Sequence, residues 1–506
     1  MRRWSAGAAF LLAGCATVGP DFHPPSTGSA TSWHSDAVAQ STQSTSTADL
    51  SPWWKVFGDA GLEQLMSEAD AQNNDLKIAG LRVLEARAQL GIAQSGRYPQ
   101  VQQIGASALY TKNHQHDTGL PGVPGSWQFG AGFDIGWELD FWGRFRRAIE
   151  SADAAYFASE ANREDVLVLL HAQVADTYFV LRTAEARLRI AKANAELQRR
   201  SFEITERLFK SGETDELDFQ QARTQYLSTS ASIPELEGQI ELARHALSVL
   251  VGRPPGPLPE LDVAPDKVGY LPLVDKAVVD DVPAQLLLRR PDLRAAQWQM
   301  AAQSALIGVA KADLYPSVSL VGTLSWSASS LSGSPSSLLL GAGPSISWNI
   351  FDHGRITNNV RVQDARLQQL TVAYEKAVLN AAREADDAAT GLLTALHRDG
   401  ILHDAEQAAQ RSLSLANTIY REGYSDFQRV LDAQRALSAQ QDAYIVNRGN
   451  AVGSLIALYK AMGGGWHTNA PLVDPATRQQ MEQRTNWDDL LGDKASPTAS
   501  AGTTTP

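Results

Sequence analysis

Two textures of apolar and polar residues succeed one another along this chain. Phe133, Ile135, Trp137 and Leu139 alternate with Asp134, Gly136, Glu138 and Asp140, and Val318, Leu320, Gly322, Leu324 and Trp326 alternate with Ser317, Ser319, Val321, Thr323 and Ser325. A period of two marks strands. Four are expected, at about 99–111, 127–140, 316–328 and 340–351, each near the ~9–11 residues that cross a bilayer at a tilt. The connections HQHDTGLPGVPGS and SSLSGSPS are rich in turn residues and read as loops.

Elsewhere the period is seven. Leu167, Val174, Leu181, Leu188, Ala195, Phe202 and Phe209 form a stripe inside a proline-free stretch from Gly125 to Ile233. The stripe predicts a coiled-coil helix over 144–211, ~100 Å long at ~1.5 Å per residue. A second proline-free stretch, Ser345 to Ala470, predicts a helix over 355–422 with a less regular stripe. There Val378, Ala385 and Leu392 give way to Leu402, Ala409 and Ala416, displaced by three. Each long helix meets a glycine, Gly212 or Gly423, the usual C-cap. Return helices over 213–251 and 424–462 then complete two helical hairpins, the first expected to kink at Pro234. Helices over 60–97 and 275–314 run into Tyr98-Pro99 and Tyr315-Pro316, where proline turns the residue before it away from helix.

A stride of 211 residues carries Gly143, Gly212 and Gly252 onto Gly354, Gly423 and Gly463, and Gly143-Arg144 onto Gly354-Arg355. The chain is one unit written twice. Each copy reads helix, strand, strand, long helix, tip, return helix. The expected organisation is a leader over 1–14, a tether over 15–52, one repeat over 53–270, another over 271–465, and a tail over 466–506 that is partly disordered. The fold class is mainly α with a membrane β part.

Four strands cannot close a barrel with an interior, and an open edge in lipid leaves backbone groups unsatisfied at several kcal/mol each. A barrel must therefore be shared, and three chains give twelve strands. Trp137, Trp142, Trp326 and Trp348 near strand ends fit interfacial aromatic belts.

Composition narrows the partners. With 44 basic against 56 acidic side chains, a net charge of −12 and no basic face, nucleic acid is excluded as a partner. The single cysteine, Cys15, follows a basic start, a short apolar run and Leu12-Ala13-Gly14, which resembles a bacterial lipoprotein cleavage box. Acylation there anchors the N-terminus to a membrane. Beyond the leader no apolar run approaches the ~18 residues of a membrane helix.

Catalytic chemistry is not legible. His114 and His116 sit in an expected external loop with only Asp117 nearby and read as surface histidines rather than metal ligands. Glu384, Asp386 and Asp387 read as the solvated face of a heptad helix. No phosphate-cradling glycine loop is present, so energy must come from a partner. The expectation is a non-enzyme with no metal and no cofactor beyond the covalent lipid on Cys15.

The segment PWWKVFGDAGLEQLMSEADAQNNDL, LRRPDLRAA at Leu288 to Ala296, the paired Tyr-Pro and Gly-Arg copies, and YREGYSDFQRVLDAQRAL at Tyr420 to Leu437 carry a family resemblance. The chain resembles TolC-like outer-membrane factors, in the NodT lipoprotein branch that serves resistance-nodulation-division pumps. The resemblance covers about Pro20 to Gly465. It implies a homotrimer in the outer membrane of a Gram-negative bacterium, with a twelve-stranded barrel and a long periplasmic helical tunnel. The partners it implies are outer-membrane lipid, a periplasmic adaptor docked at the hairpin tips, and a proton-driven inner-membrane pump. Gly212, Glu213 and Thr214, with Gly423, Tyr424 and Ser425, mark those tips. Gly143, Arg144, Gly354 and Arg355 mark the strand-to-helix junctions.

The resemblance also places a periplasmic constriction after the tip glycines. Tyr420 matches its tyrosine, Asp432 one acidic position and Asp218 another, while Arg429 stands where a second aspartate is expected. Three Asp432 carboxylates converging at ~6 Å repel pairwise by about 0.7 kcal/mol in water and about 3 kcal/mol at an effective dielectric of ~20. That is too weak for a lock, so hydrogen bonds around Tyr420 or a bridge to Arg429 are expected to hold the tip. Two alternatives stay open: an outer-membrane component of type I protein secretion, and a periplasmic coiled-coil scaffold lipoprotein without a pore. The cargo is not written in the sequence.

Overall fold

The computed structural model describes residues 17–25, 52–112, 125–262, 268–274, 289–330, 337–466 and 470–491. Cys15, the leader, most of the tether, His114, His116 and the last fifteen residues of the tail fall outside that set. The chain packs as two units, each drawing on both sequence copies.

The first unit comprises residues up to 25, 83–159 and 295–374. It holds one antiparallel sheet in chain order: β1 (Val101–Thr111), β2 (Ser126–Leu139), β3 (Ser317–Ala328) and β4 (Ser337–Ser347). The last strand differs from expectation. It begins at Ser337 and ends at Ser347, so Trp348 to Phe351 lie beyond it. Pairing decides the span: Ser337 meets Ser327 and Ser347 meets Ser317, which uses β3 from its first residue to its last but one.

Register sorts the side chains onto two faces, because directly opposed residues share a face. Phe133 opposes Ile104 on one side and Leu324 on the other, and Leu324 opposes Leu340. That row and its neighbours make one face of Trp, Phe, Leu, Ile and Ala. The other face runs through Gly132, Ser325, Thr323, Gly341 and Gly343 and is mostly small and polar, with Val101, Leu109, Val321 and Leu339 the larger apolar residues on it. Three tryptophans at the end nearest the helices anchor their indoles on backbone. Trp137 donates to Arg97 O at 3.2 Å, Trp142 to Pro316 O at 2.8 Å and Trp348 to Leu314 O at 3.0 Å.

Eight α-helices are described. They are α1 (Ala60–Gln72), α2 (Asn74–Ser95), α3 (Arg144–Ser211), α4 (Glu216–Leu250), α5 (Pro291–Ala312), α6 (Arg355–Arg421), α7 (Gln428–Ala461) and α8 (Pro475–Arg484). The segment 60–97 is thus two helices rather than one. Asn73 breaks it, leaving helical geometry while its amide donates to Leu250 O and its side-chain oxygen caps Leu76 N. The return helices start later than expected, at Glu216 and Gln428, because each tip takes several residues to turn. Helix α4 runs through Pro234 without ending. Within the tail, Asp474 caps α8 by accepting from Thr477 N at 3.0 Å.

The second unit, residues 26–82, 160–294 and from 375 on, contains most of the helical mass. The heptad stripe of α3 is its seam: Leu167, Val174 and Leu181 are buried, and so is Ala195. Further on the stripe rotates outward, leaving Phe209 exposed, as an α-helix drifts against a strict seven-residue repeat. Along the α6 stripe Val378, Ala385, Leu392 and Ala409 are buried and Leu402 and Ala416 half-buried, so the displaced register is followed in part. Trp53 stacks on Tyr459 at 5.1 Å and Phe57 meets Phe179 at 4.7 Å, closing the seam with the N-terminal segment.

Candidate functional site

The two hairpin tips are built alike at the backbone. Gly212 and Gly423 take φ of 76° and 79°, the left-handed region that glycine enters freely. Glu213 N donates to Leu208 O and Tyr424 N to Ile419 O, while Gly212 and Gly423 close the inner turn on Phe209 O and Tyr420 O. This reciprocal pattern satisfies the last carbonyls of each long helix.

Beyond the glycines the tips diverge. At the first, Asp215 caps α4 by accepting from Asp218 N at 3.0 Å, and Thr214 donates to the Asp218 carboxylate at 2.9 Å. Asp218 is therefore held in the first turn, where the helix dipole favours a negative charge. At the second, Phe427 occupies the cap position with no side-chain bond, and instead buries its ring. Tyr424 is 81% exposed and Ser425 donates to the neighbouring Asp426 carbonyl.

Behind the tips lies an apolar cluster of Ala222, Ala409, Leu413, Phe427, Val430 and Leu431, joined by Ala433 and Leu437. It binds both hairpins together. Tyr420 packs its half-buried ring on Phe427 at 5.3 Å. Burial pushes the Tyr420 hydroxyl above its ordinary value, and the Asp218 carboxylate adds to that shift.

Within one chain the tip charges pair locally. Arg429 does not bridge to Asp432 or Tyr420; it pairs with Asp426 at 4.0 Å, with both side chains about seven-tenths exposed. Asp432 is exposed on α7, accepting from Gln428 at 3.0 Å and lying 3.5 Å from Arg435. Arg435 in turn donates to Gln225 of α4 at 2.9 Å. This cross-hairpin bond joins the two copies, and no motif or spacing announces it.

At the strand-to-helix junction, Gly143 and Gly354 adopt φ of 78° and 83°. Asp140 accepts from Phe145 N and Arg146 N, and Asp352 accepts from Gly354 N and Ile356 N, so each long helix begins on a carboxylate. Arg144 lies 3.6 Å from both Glu138 and Asp313, within a cleft of about 280 Å³ that Arg355 also lines.

Glu384 corrects the reading of its neighbourhood as a solvated face. Arg290, from the LRRPDLRAA segment, donates to Glu384, Asp292 and Ala461 O at 2.9–3.1 Å. Asp387 pairs with Arg383 and is exposed, as a surface charge should be. Beside this clamp burial, with Asp292 adding repulsion, pushes the Asp165 carboxyl up to about 6. Among the described residues no group of three His, Cys, Asp or Glu side chains could hold a metal ion. Nor is any described helix long and apolar enough to cross a membrane.

The sequence profile described as outer membrane efflux protein matches residues 65–253 and 282–464. The probable outer membrane lipoprotein SilC of Salmonella typhimurium is 31% identical over 477 residues, covering 91% of this chain and 98% of that protein. The cation efflux system protein CusC of Escherichia coli is 32% identical over 417 residues, covering 82% of this chain and 88% of the relative. The solved structure of the outer-membrane channel OprN superposes with a TM-score of 0.80 at 36% identity, over 89% of this chain and all of that one.

Proposed function

The chain belongs to the outer membrane efflux protein family, and we propose that it serves as the trimeric exit duct of a tripartite efflux system. One observation carries this reading: a four-stranded sheet with one strongly apolar face, an opposite face mostly of small and polar residues, and two unpaired edges, β1 and β4. The apolar face suits lipid and the polar face a water-filled interior. An unpaired edge in lipid is costly, so β1 of one copy pairs with β4 of the next. Three copies then supply twelve strands. The helical unit supplies the periplasmic conduit.

In this reading Gly212, Glu213 and Thr214, with Gly423, Tyr424 and Ser425, present the tips to a periplasmic adaptor. Asp432 and Asp218 charge the entrance and Tyr420 packs it closed, while Arg429 is spent on Asp426. An inner-membrane pump provides energy and selects cargo. Similarity to CusC, a cation efflux system protein, supports small cargo including metal cations. Cys15 carries the lipid anchor, a role supported by similarity to SilC, a probable outer membrane lipoprotein. The protein conducts passively and catalyses nothing.

The test is purification from outer membranes followed by planar-bilayer recording. Heat-labile trimers that conduct ions support the duct, and a monomeric, non-conducting lipoprotein points to a scaffold instead. Asp432→Ala tests the entrance charge: unchanged current and unchanged cation block sink that assignment while leaving the duct intact.

A further inference from the structure

The four strands carry only two charged side chains, Asp134 and Glu138, both on β2. Register puts them on the same face. Asp134 opposes Gln103 on β1 and Thr323 on β3, and Thr323 opposes Gly341; Glu138 opposes Ser319. This is the polar face, away from Phe133, Ile135 and Trp137. A carboxylate on the lipid side would be expensive, and none is there.

The two acids differ in their surroundings. Glu138 lies 3.6 Å from Arg144 at the helix-side rim, so a cation offsets it. Asp134 stands five residues further from that rim than Leu139, ~17 Å up the strand at ~3.3 Å per residue. Gly132 and Gly136 flank it on its own strand, and it makes no ion pair among the described residues. Asp134 is itself exposed, and on the same face Gly105 and Gly343 have open space where a side chain would stand, although Gly132 and Gly136 lie within 3.3 Å of neighbouring atoms there. The face is thus open to water, with one uncompensated negative charge per chain.

The second sequence copy does not repeat it. The 211-residue stride carries Asp134 onto Ser345 and Glu138 onto Asn349. A trimer therefore has three such charges at one level rather than six.

We propose that Asp134 is a charge-selectivity residue of the barrel interior, three copies forming a fixed negative ring within the outer membrane, separate from the hairpin tips. The proposal rests on the trimeric-duct reading. Twelve strands ~4.8 Å apart and tilted by ~40° close at a radius of about 12 Å. At that radius the ring does not grip a bare ion. It acts as fixed charge on hydrated ions passing within a Debye length, ~10 Å at 0.1 M salt and ~3 Å at 1 M. Cationic cargo leaves across a favourable field, and anions of the external medium meet an opposing one.

The experiment is reversal-potential measurement on reconstituted trimers in a potassium chloride gradient, at low mean salt and then at high. The wild type prefers cations at low salt, Asp134→Asn moves the cation-to-anion permeability ratio toward one, and Asp134→Lys carries it past one to anion preference. Glu138→Gln, whose charge Arg144 already offsets, moves it less. All four proteins converge at high salt. A conducting trimer whose ratio at low salt is the same with Asp134→Asn and Asp134→Lys as in the wild type overturns the Asp134 proposal alone. Wild-type protein that never conducts overturns the duct, and the proposal with it.

Discussion

Arg290 donates to Glu384 from both terminal guanidinium nitrogens, each at 3.1 Å, across 94 positions of sequence. The same side chain holds Asp292 and the Ala461 carbonyl, so one residue ties the start of α5, the middle of α6 and the end of α7. Arg290 is itself buried, while Glu384 remains partly open. Arg290→Ala leaves the Ala461 carbonyl and two carboxylates short of a donor. We expect a loss of about 3 kcal/mol, the scale of breaking a mostly buried pair from one side. Arg290→Lys, which cannot fork, recovers less than half. Denaturant midpoints of the purified protein check both values.

Asp165 gives the pH dependence its sign. Its carboxyl is raised to about 6 by burial first and by Asp292 second, with Arg290 and Lys460 opposing the rise. A raised carboxyl binds its proton more tightly folded than unfolded, so it costs stability above about pH 6, and the cost disappears as pH falls toward its unfolded value. Asp165→Asn should therefore stabilise the protein at neutral pH by up to about 2 kcal/mol, since ~1.4 kcal/mol attaches to each unit and the group is not wholly buried. The gain should vanish near pH 4. Thermal midpoints across that range decide it; a gain that is constant with pH excludes titration of Asp165 as its source.

Much of this fold is legible from periodicity, because strands and long helices bury one face at fixed spacing. The period of two marked β2 and β3, and the heptad of Leu167, Val174 and Leu181 marked the seam of α3. What escaped was set by single side chains acting across the chain. Asn73 breaks a helix that composition would continue, because its amide finds Leu250 O in another element. The end of β4 was misplaced because Trp348 and Ile350 extend the alternation, whereas β3 has no partner left for them. The tips show the same limit: Gly212 and Gly423 are legible as caps, but the bond from Arg435 to Gln225 depends on how two hairpins meet.

Gly143 and Gly212 share a left-handed φ, 78° and 76°, in different surroundings. A Cβ at Gly212 meets nothing within 4 Å, but at Gly143 it falls 2.6 Å from Thr17 Cγ2 and 3.0 Å from Thr17 Cα. Gly212→Ala should cost only the backbone term, ~1–2 kcal/mol. Gly143→Ala adds a clash with backbone and should cost clearly more, with lower trimer yield. Equal losses in a side-by-side melting experiment would show that φ alone sets the cost.

Arg435 and Tyr420 make different contacts near the tips, a hydrogen bond to Gln225 and a ring packed on Phe427, and their variants should separate. Tyr420 contributes a ring against Phe427, with no hydrogen bond from its hydroxyl among the described contacts. Tyr420→Phe keeps that packing and removes a hydroxyl that burial and Asp218 already keep protonated, so it should leave single-channel conductance unchanged. Tyr420→Ala empties part of the apolar cluster and should cost about 3 kcal/mol of local stability. Arg435 contributes the link from α7 to Gln225 on α4, and it also lies 3.5 Å from Asp432 as an exposed, partial counter-charge. Arg435→Ala removes both, leaving Asp432 with Gln428 alone. Two consequences follow in planar bilayers: more frequent open states, because the hairpins lose their polar tie, and stronger cation block, because Asp432 loses its counter-charge. Gln225→Ala breaks the tie but spares the charge pair, so it should raise opening without strengthening block. If Gln225→Ala leaves opening at the wild-type level while Arg435→Ala raises it, charge at Asp432 and not the cross-hairpin bond governs the entrance.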